Sequence, residues 1–221
     1  MNIAMQTPQL MLWDLDGTLI RSEELHQEAI RQACRALGRP TDGELDIPPG
    51  SDGAAAYRHL FGISPGQALP DQYAAWYRMA NEYVIANLAG TEAVGGALEC
   101  CAWFAARGVS QSVVSNSDPR VIDASLRHLG IRGRFEHLCS GDEVARGKPA
   151  PDVYLHALAL HGVDAASCLV FEDSRNGMTA AKAAGLRVVA VTDSLRLAAQ
   201  ADFTVSPSRP ESWQALLQRL F

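Results

Sequence analysis

The sequence predicts an α/β fold: a parallel sheet covered by helices, with an all-helical insert after the first strand. Two observations carry this. From about residue 95 to the C-terminus, short apolar runs alternate with helical patterns, which is the grammar of a parallel sheet. The first apolar run, near residue 10, is instead followed by about seventy residues without a convincing strand pattern.

Gln9–Trp13 is apolar up to Asp14 and reads as a buried strand. From Ser22 to Gly38, Leu25, Ala29, Ala33 and Leu37 recur every fourth position, with Ser22 placed to cap the helix and Gly38 to end it. Residues 39–53 read as a loop, with Pro40, Pro48, Pro49, Gly50 and Gly53. Helical stretches follow at about Ala54–Leu60 and Pro70–Leu88. The alternating part then runs helix Gly95–Arg107, strand Val109–Ser115, helix Arg120–Leu129 and a short strand near His137–Ser140. It continues with helix Asp152–His161, strand Cys168–Phe171, helix Asn176–Ala184, strand Arg187–Val191, a strand near Phe203–Val205 and a terminal helix Glu211–Leu220. Residues 21–88 are therefore expected to form a helical cap, and residues 1–20 plus 89–221 the core.

A chain of 221 residues allows one domain with a smaller one inserted. It can bury roughly 70% of its unfolded surface and needs no disulfide or metal merely to fold. With 48% hydrophobic residues and no biased tracts, disorder and fibrous classes are excluded. The longest stretch free of Asp, Glu, Lys and Arg is residues 1–13, which holds Asn, Gln, Thr and Pro, so neither a membrane span nor a basic-headed signal peptide is read there. The net charge of −6 and the lack of any Lys/Arg run argue against nucleic acid as a partner. Cys34, Cys100, Cys101, Cys139 and Cys168 show no Cys-x-x-Cys spacing and lie in apolar segments, so they read as small buried hydrophobes of a cytoplasmic protein.

The chemistry sits at strand exits. Asp14-Leu15-Asp16-Gly17-Thr18 follows the first strand, Ser115-Asn116-Ser117 a second, and Glu172-Asp173-Ser174 a third, while Gly147-Lys148-Pro149 precedes a helix. Ligands of open parallel sheets bind at the carboxyl ends of the strands, so these four pieces are expected to meet in one crevice. Each has a plainer reading when taken alone. The Asp-x-Asp-Gly-Thr run can be an Asx turn, Ser115-Asn116 can lead into a helix cap at Ser117 or Asp118, Lys148 can be a solvated charge, and Glu172-Asp173 can match a helix dipole. Together they hold Asp14, Asp16, Glu172, Asp173 and one of only two lysines in the chain. Carboxylates crowded in a crevice repel unless a cation joins them. Hard oxygen donors suit Mg²⁺, and the lysine with its neighbouring donors suits a phosphoryl group beside the metal.

On these motifs the chain resembles the haloacid dehalogenase superfamily, in the subclass with a helical cap between the first and second motifs and a Rossmann-like core. The resemblance spans essentially the whole chain and points to phosphatases and mutases of sugar phosphates and phosphoglycolate. It implies that Asp14 attacks phosphorus and that Asp16 protonates the leaving oxygen and then activates water. It also implies that Asp14, the Asp16 carbonyl and Asp173 bind Mg²⁺, with Glu172 acting on the metal directly or through water, and that Ser115, the Asn116 backbone and Lys148 hold the phosphoryl group. A site partly closed to water is expected to help Asp16 take up a proton. Metal-free dehalogenation is disfavoured by the presence of both Asp16 and Asp173, and pump function by the lack of membrane helices. His26 stands where beta-phosphoglucomutase has a cap histidine, but Gly53 stands where that enzyme has a phosphate-gripping arginine. The expected activity is thus a Mg²⁺-dependent phosphomonoesterase acting, through an aspartyl-phosphate, on a small phosphorylated metabolite such as a sugar phosphate or a phosphoglycolate-like acid. A phosphosugar mutase and a non-catalytic ligand-binding member are the rivals. His26, Ser51 and Arg58 are the cap residues expected to bear on specificity.

Overall fold

The four residues of the first apolar run become the central strand of the sheet, which is why none of them reaches solvent. A computed structural model of the chain describes residues 8–39, 41, 45–47 and 50–220. Pro40, Pro48 and Pro49 of the loop read in the sequence, and residues 1–7, lie outside the described residues. The strands are β1 (Leu10–Trp13), β2 (Ser110–Ser115), β3 (His137–Ser140), β4 (Cys168–Glu172), β5 (Arg187–Val191) and β6 (Phe203–Val205). They form one parallel sheet in the order β3-β2-β1-β4-β5-β6. Winding runs outward in both directions from β1, so the switch point of the topology lies beside it. Trp13 is in register with Val113 on one side and Phe171 on the other, which brings the carboxyl ends of the three central strands level.

Alternate residues of β1 feed two cores. Met11 and Trp13 face the layer that includes α4 (Ala97–Ala105), α5 (Pro119–His128) and α9 (Pro210–Leu220). Leu10 and Leu12 face α6 (Asp152–His161) and α7 (Arg175–Ala183). The Trp13 ring stacks on Phe171 at 4.0 Å between centroids, and Phe171 stacks on Trp213 at 5.7 Å. Burying each of these rings is worth about 1.5–3 kcal/mol. The one polar atom of Trp13 is satisfied, since Nε1 donates to Gln111 Oε1 at 3.0 Å and Gln111 Nε2 donates to the Cys101 carbonyl.

Between β1 and β2 the chain forms α1 (Glu23–Ala36), α2 (Gly53–Phe61) and α3 (Gln72–Asn87), with α1 and α3 packed against each other. Hydrogen bonds far from the hinge also tie this insert to the sheet's loops. Tyr77 Oη donates to Asp142 Oδ2 at 2.7 Å, Asn81 Nδ2 to Asp118 Oδ2 at 3.2 Å, and Asn116 Nδ2 to the Gly50 carbonyl at 3.0 Å.

Two local expectations are corrected. Ser22 stands at the N-cap of α1, but its hydroxyl makes no capping bond and donates instead to Asp16 Oδ1 at 2.5 Å. A carboxylate is the stronger acceptor for a hydroxyl, and Glu23 and Glu24 already match the helix dipole there. Gly53 is not in the loop but opens α2, because Asp52 caps that helix by accepting from the Ala55 amide at 2.7 Å. The sequence also gave no warning of α8 (Leu195–Ala198), a single turn between β5 and β6. The five cysteines are free and buried. Among the described residues no helix is long and apolar enough to cross a membrane.

Candidate active site

Because the central strands end level, their polar exits share one crevice of about 260 Å³ lined by Asp14, Asp16, Ser115, Asn116, Lys148 and Asp173. His26 and Ser51 line it from the insert. Arg58 does not. It sits in the last turn of α2, where its guanidinium donates to the Ser64 carbonyl at 3.2 Å, a common use of a basic residue at a helix C-terminus. Its expected place in specificity is therefore corrected.

Asp14 directly follows β1, and its amide bonds the Phe171 carbonyl, which extends the sheet by one more residue. Lys148 is buried beside it. Its Nζ donates to Asp14 Oδ1 at 2.7 Å, to the Val114 carbonyl at 2.8 Å and to Glu172 Oε1 at 2.5 Å. Burial works against the ammonium, but the Asp14 and Glu172 carboxylates outweigh it and hold Lys148 well above the ordinary lysine range. Asn116 fixes the loop that carries Lys148. Its Oδ1 accepts from the Lys148 amide at 2.8 Å, and its Nδ2 donates to the Lys148 carbonyl at 3.0 Å. A side chain at Gly147 would begin 2.5 Å from that Oδ1, so this loop needs glycine there.

Glu172 ends β4, is fully buried, and lies beneath the crevice rather than in its wall. Oε1 accepts from Lys148 and from Tyr154 Oη at 3.2 Å, and Oε2 accepts from the Ser174 amide and hydroxyl at 3.1 and 3.0 Å. Any side chain at Gly177 would occupy the same space as this carboxylate. The Tyr154 ring lies 5.1 Å from Lys148 Nζ. Tyr154 and Ser174 belong to the site, but nothing in their local sequence distinguishes Tyr154 from an ordinary core aromatic of α6.

Asp16 points toward the insert. Its oxygens accept from Ser22, from Ser117 Oγ at 2.7 Å, and pair with His26 Nε2 at 2.8 Å. Burial would raise its pKa, as expected from the sequence, but His26 and these hydrogen bonds outweigh burial and hold the carboxyl well below the usual range. The same pairing, again against burial, raises His26 above the ordinary histidine value. The proton of this pair therefore rests on His26.

Asp14, Glu172 and Asp173 bring carboxylate oxygens within 4.8 Å of one another. Burial first, then the neighbouring Glu172, pushes the Asp14 carboxyl up to about 8 despite Lys148. Burial and then Asp14 push Asp173 well above its usual range, and Asp173 Oδ1 accepts from Thr18 Oγ1 at 3.3 Å. Crowded carboxylates in this state are relieved by a cation, and an all-oxygen donor set fits Mg²⁺. Gly17, at φ +83°, leaves room for Asp173, whose Oδ2 would lie 2.2 Å from any Cβ there.

The chain as a whole is similar to known proteins. The family profile of haloacid dehalogenase-like hydrolases matches residues 8–185. Protein CbbY of Rhodobacter capsulatus is 33% identical over 190 residues, covering 81% of this chain and 83% of its own length. Fructose-1-phosphate phosphatase YqaB of Escherichia coli K12 is 30% identical over 182 residues, covering 82% of this chain and 95% of its own length. The crystal structure of a CbbY variant from Rhodobacter sphaeroides in complex with xylulose-(1,5)bisphosphate has a TM-score of 0.78 at 28% identity, covering 90% of this chain and 93% of that one. With the profile matched over most of its length and the motifs gathered in one crevice, the chain belongs to the haloacid dehalogenase-like hydrolases.

Proposed function

We propose that the chain is a Mg²⁺-dependent phosphomonoesterase that hydrolyses a small phosphorylated metabolite through a phosphorylated Asp14. The observation that carries this reading is Lys148, buried and protonated, joining Asp14 to the strand end that bears Ser115. Residues 21–88 act as the cap over a core made of residues 1–20 and 89–221. The relatives named as phosphatases support the same reading.

Asp14 and Asp173, with the Asp16 carbonyl, would hold Mg²⁺, whose charge would screen the carboxylate nucleophile from the phosphate. An oxygen of Asp14 attacks phosphorus as the ester P–O bond breaks. The leaving alkoxide takes a proton from the Asp16–His26 pair, with Asp16 Oδ1 relaying what His26 holds. Ser115, the Asn116 backbone and Lys148 hold the transferring phosphoryl group. A water then attacks phosphorus and gives its proton back to the pair, and the bond to Asp14 breaks, releasing inorganic phosphate and restoring the carboxylate. Glu172, with both oxygens bound by protein donors, keeps Lys148 in place rather than meeting the metal directly.

The test is phosphate release from p-nitrophenyl phosphate with Mg²⁺, with EDTA, and by Asp14→Asn. Activity is expected only with metal, and the variant should lose at least three orders of magnitude while keeping its fold. Full activity after exhaustive chelation, or more than a tenth of wild-type turnover in Asp14→Asn, would refute the reading.

A further inference from the structure

Resting on the phosphomonoesterase reading, we infer that the alcohol half of the substrate is uncharged and presents an apolar face to the cap, so that bisphosphates and phosphorylated acids are poor substrates. The two ends of the crevice differ in chemistry. Among the described residues, its cationic groups are Lys148 and His26, and both are committed at the phosphoryl end to Asp14, Glu172 and Asp16. The loop at the mouth offers none. Its described residues, 45–47 and 50–57, include no Lys, Arg or His but do include Asp46 and Asp52. The first basic residue after them, Arg58, is turned to the Ser64 carbonyl.

The opposite wall is apolar: Ala29 and Ile30 of α1, Ile47 of the loop, Ala56 of α2, and Trp76 and Val84 of α3. Of its polar groups, three are engaged within the protein, and Gln27 adds an uncharged amide. Tyr77 Oη donates to Asp142, Asn81 Nδ2 to Asp118, and Trp76 Nε1 to Cys34 Sγ at 3.3 Å. The N-terminus of α2 gives no anion site either, since Asp52 caps it and puts a carboxylate there. A longer side chain at Gly53 is blocked by the Tyr77 ring, 2.3 Å from where a Cβ would stand. A second anion entering here would lose its hydration and meet carboxylates and hydrocarbon, whereas an apolar face would gain by leaving water.

The experiment compares kcat/KM, measured as phosphate release with Mg²⁺, for phenyl phosphate, 4-carboxyphenyl phosphate, 2-phosphoglycolate and fructose 1,6-bisphosphate. Phenyl phosphate should exceed each of the other three at least tenfold. Ile47→Lys, set against Ile47→Met as the uncharged control, should raise the ratio of 4-carboxyphenyl to phenyl phosphate at least tenfold. A ratio taken within one protein is insensitive to partial loss of folded enzyme. Turnover of the carboxylated or bisphosphorylated ester as fast as phenyl phosphate, or an unchanged ratio in Ile47→Lys, would overturn the inference and leave the phosphomonoesterase reading standing. Absence of phosphate release from every ester would overturn both.

Discussion

Lys148→Met tests whether the lysine is the cation on which the buried half of the site depends. Methionine keeps most of the stem volume and removes the charge, so the packing against Tyr154 is largely preserved. What changes is electrostatic. Glu172, fully buried, loses the donor at 2.5 Å and keeps only neutral ones, while Asp14 loses its donor at 2.7 Å. Removing one partner of a buried ion pair costs about 3–5 kcal/mol, because the other charge stays buried without its counter-ion. That is a large part of the 5–15 kcal/mol of total stability usual for a domain. Adding Glu172→Gln should recover about 2–3 kcal/mol, since the amide oxygen still accepts from Ser174 and no unpaired charge remains. Asp14 adds little to the cost in metal-free protein at pH 7, because its pKa of about 8 keeps it largely protonated. The assay is urea unfolding in EDTA at pH 7 for the wild type, both single variants and the double variant. A loss below about 1 kcal/mol for Lys148→Met would refute the reasoning. So would costs for the two substitutions that simply add within about 0.5 kcal/mol.

Three further outcomes are expected. The rise in thermal midpoint caused by Mg²⁺ should grow from pH 6 to pH 8.5, because Asp14 holds its proton up to about 8 in the metal-free protein and must release it to bind; a shift independent of pH would count against Asp14 as a ligand. Tyr77→Phe removes the hydrogen bond from α3 to Asp142 and should cost about 0.5–1.5 kcal/mol in chemical denaturation, and no measurable change would show that this tie does not hold the insert to the core. Burial first, against the pull of Glu136, lowers the pKa of His161, so its own contribution to stability is level above the ordinary value of about 6.5 and is lost below it; between pH 7 and pH 5.5 the wild type should lose more stability than His161→Gln, in which all other titrating groups are the same. An equal loss in both proteins would exclude His161 as a source of it.

The sequence by itself determined the sheet and the meeting of its motifs. A four-residue apolar run ending at Asp14 has one stable environment, the middle of a parallel sheet, and parallel strands carry all their exits to the same edge. Asp14, Ser115, Lys148 and Asp173 were therefore legible as neighbours although up to 159 positions apart in the numbering. Local patterns also placed the helices to within a few residues, since periodicity and caps act over four positions. Only the tertiary structure decided which polar atoms satisfy one another. Ser22 stands at a capping position, yet the turn at Gly17 brings Asp16, six residues back, within reach of its hydroxyl as the better acceptor. Tyr154 became a partner of Glu172 from the helix that leads into β4, and Arg58 was taken by the Ser64 carbonyl just beyond its helix. The expected upward shift of Asp16 failed for the same reason. Burial is foreseeable from an apolar segment, but the donors that counter it arrive from α1 and from the end of β2, and their competition is settled by distances that exist only once the chain has folded.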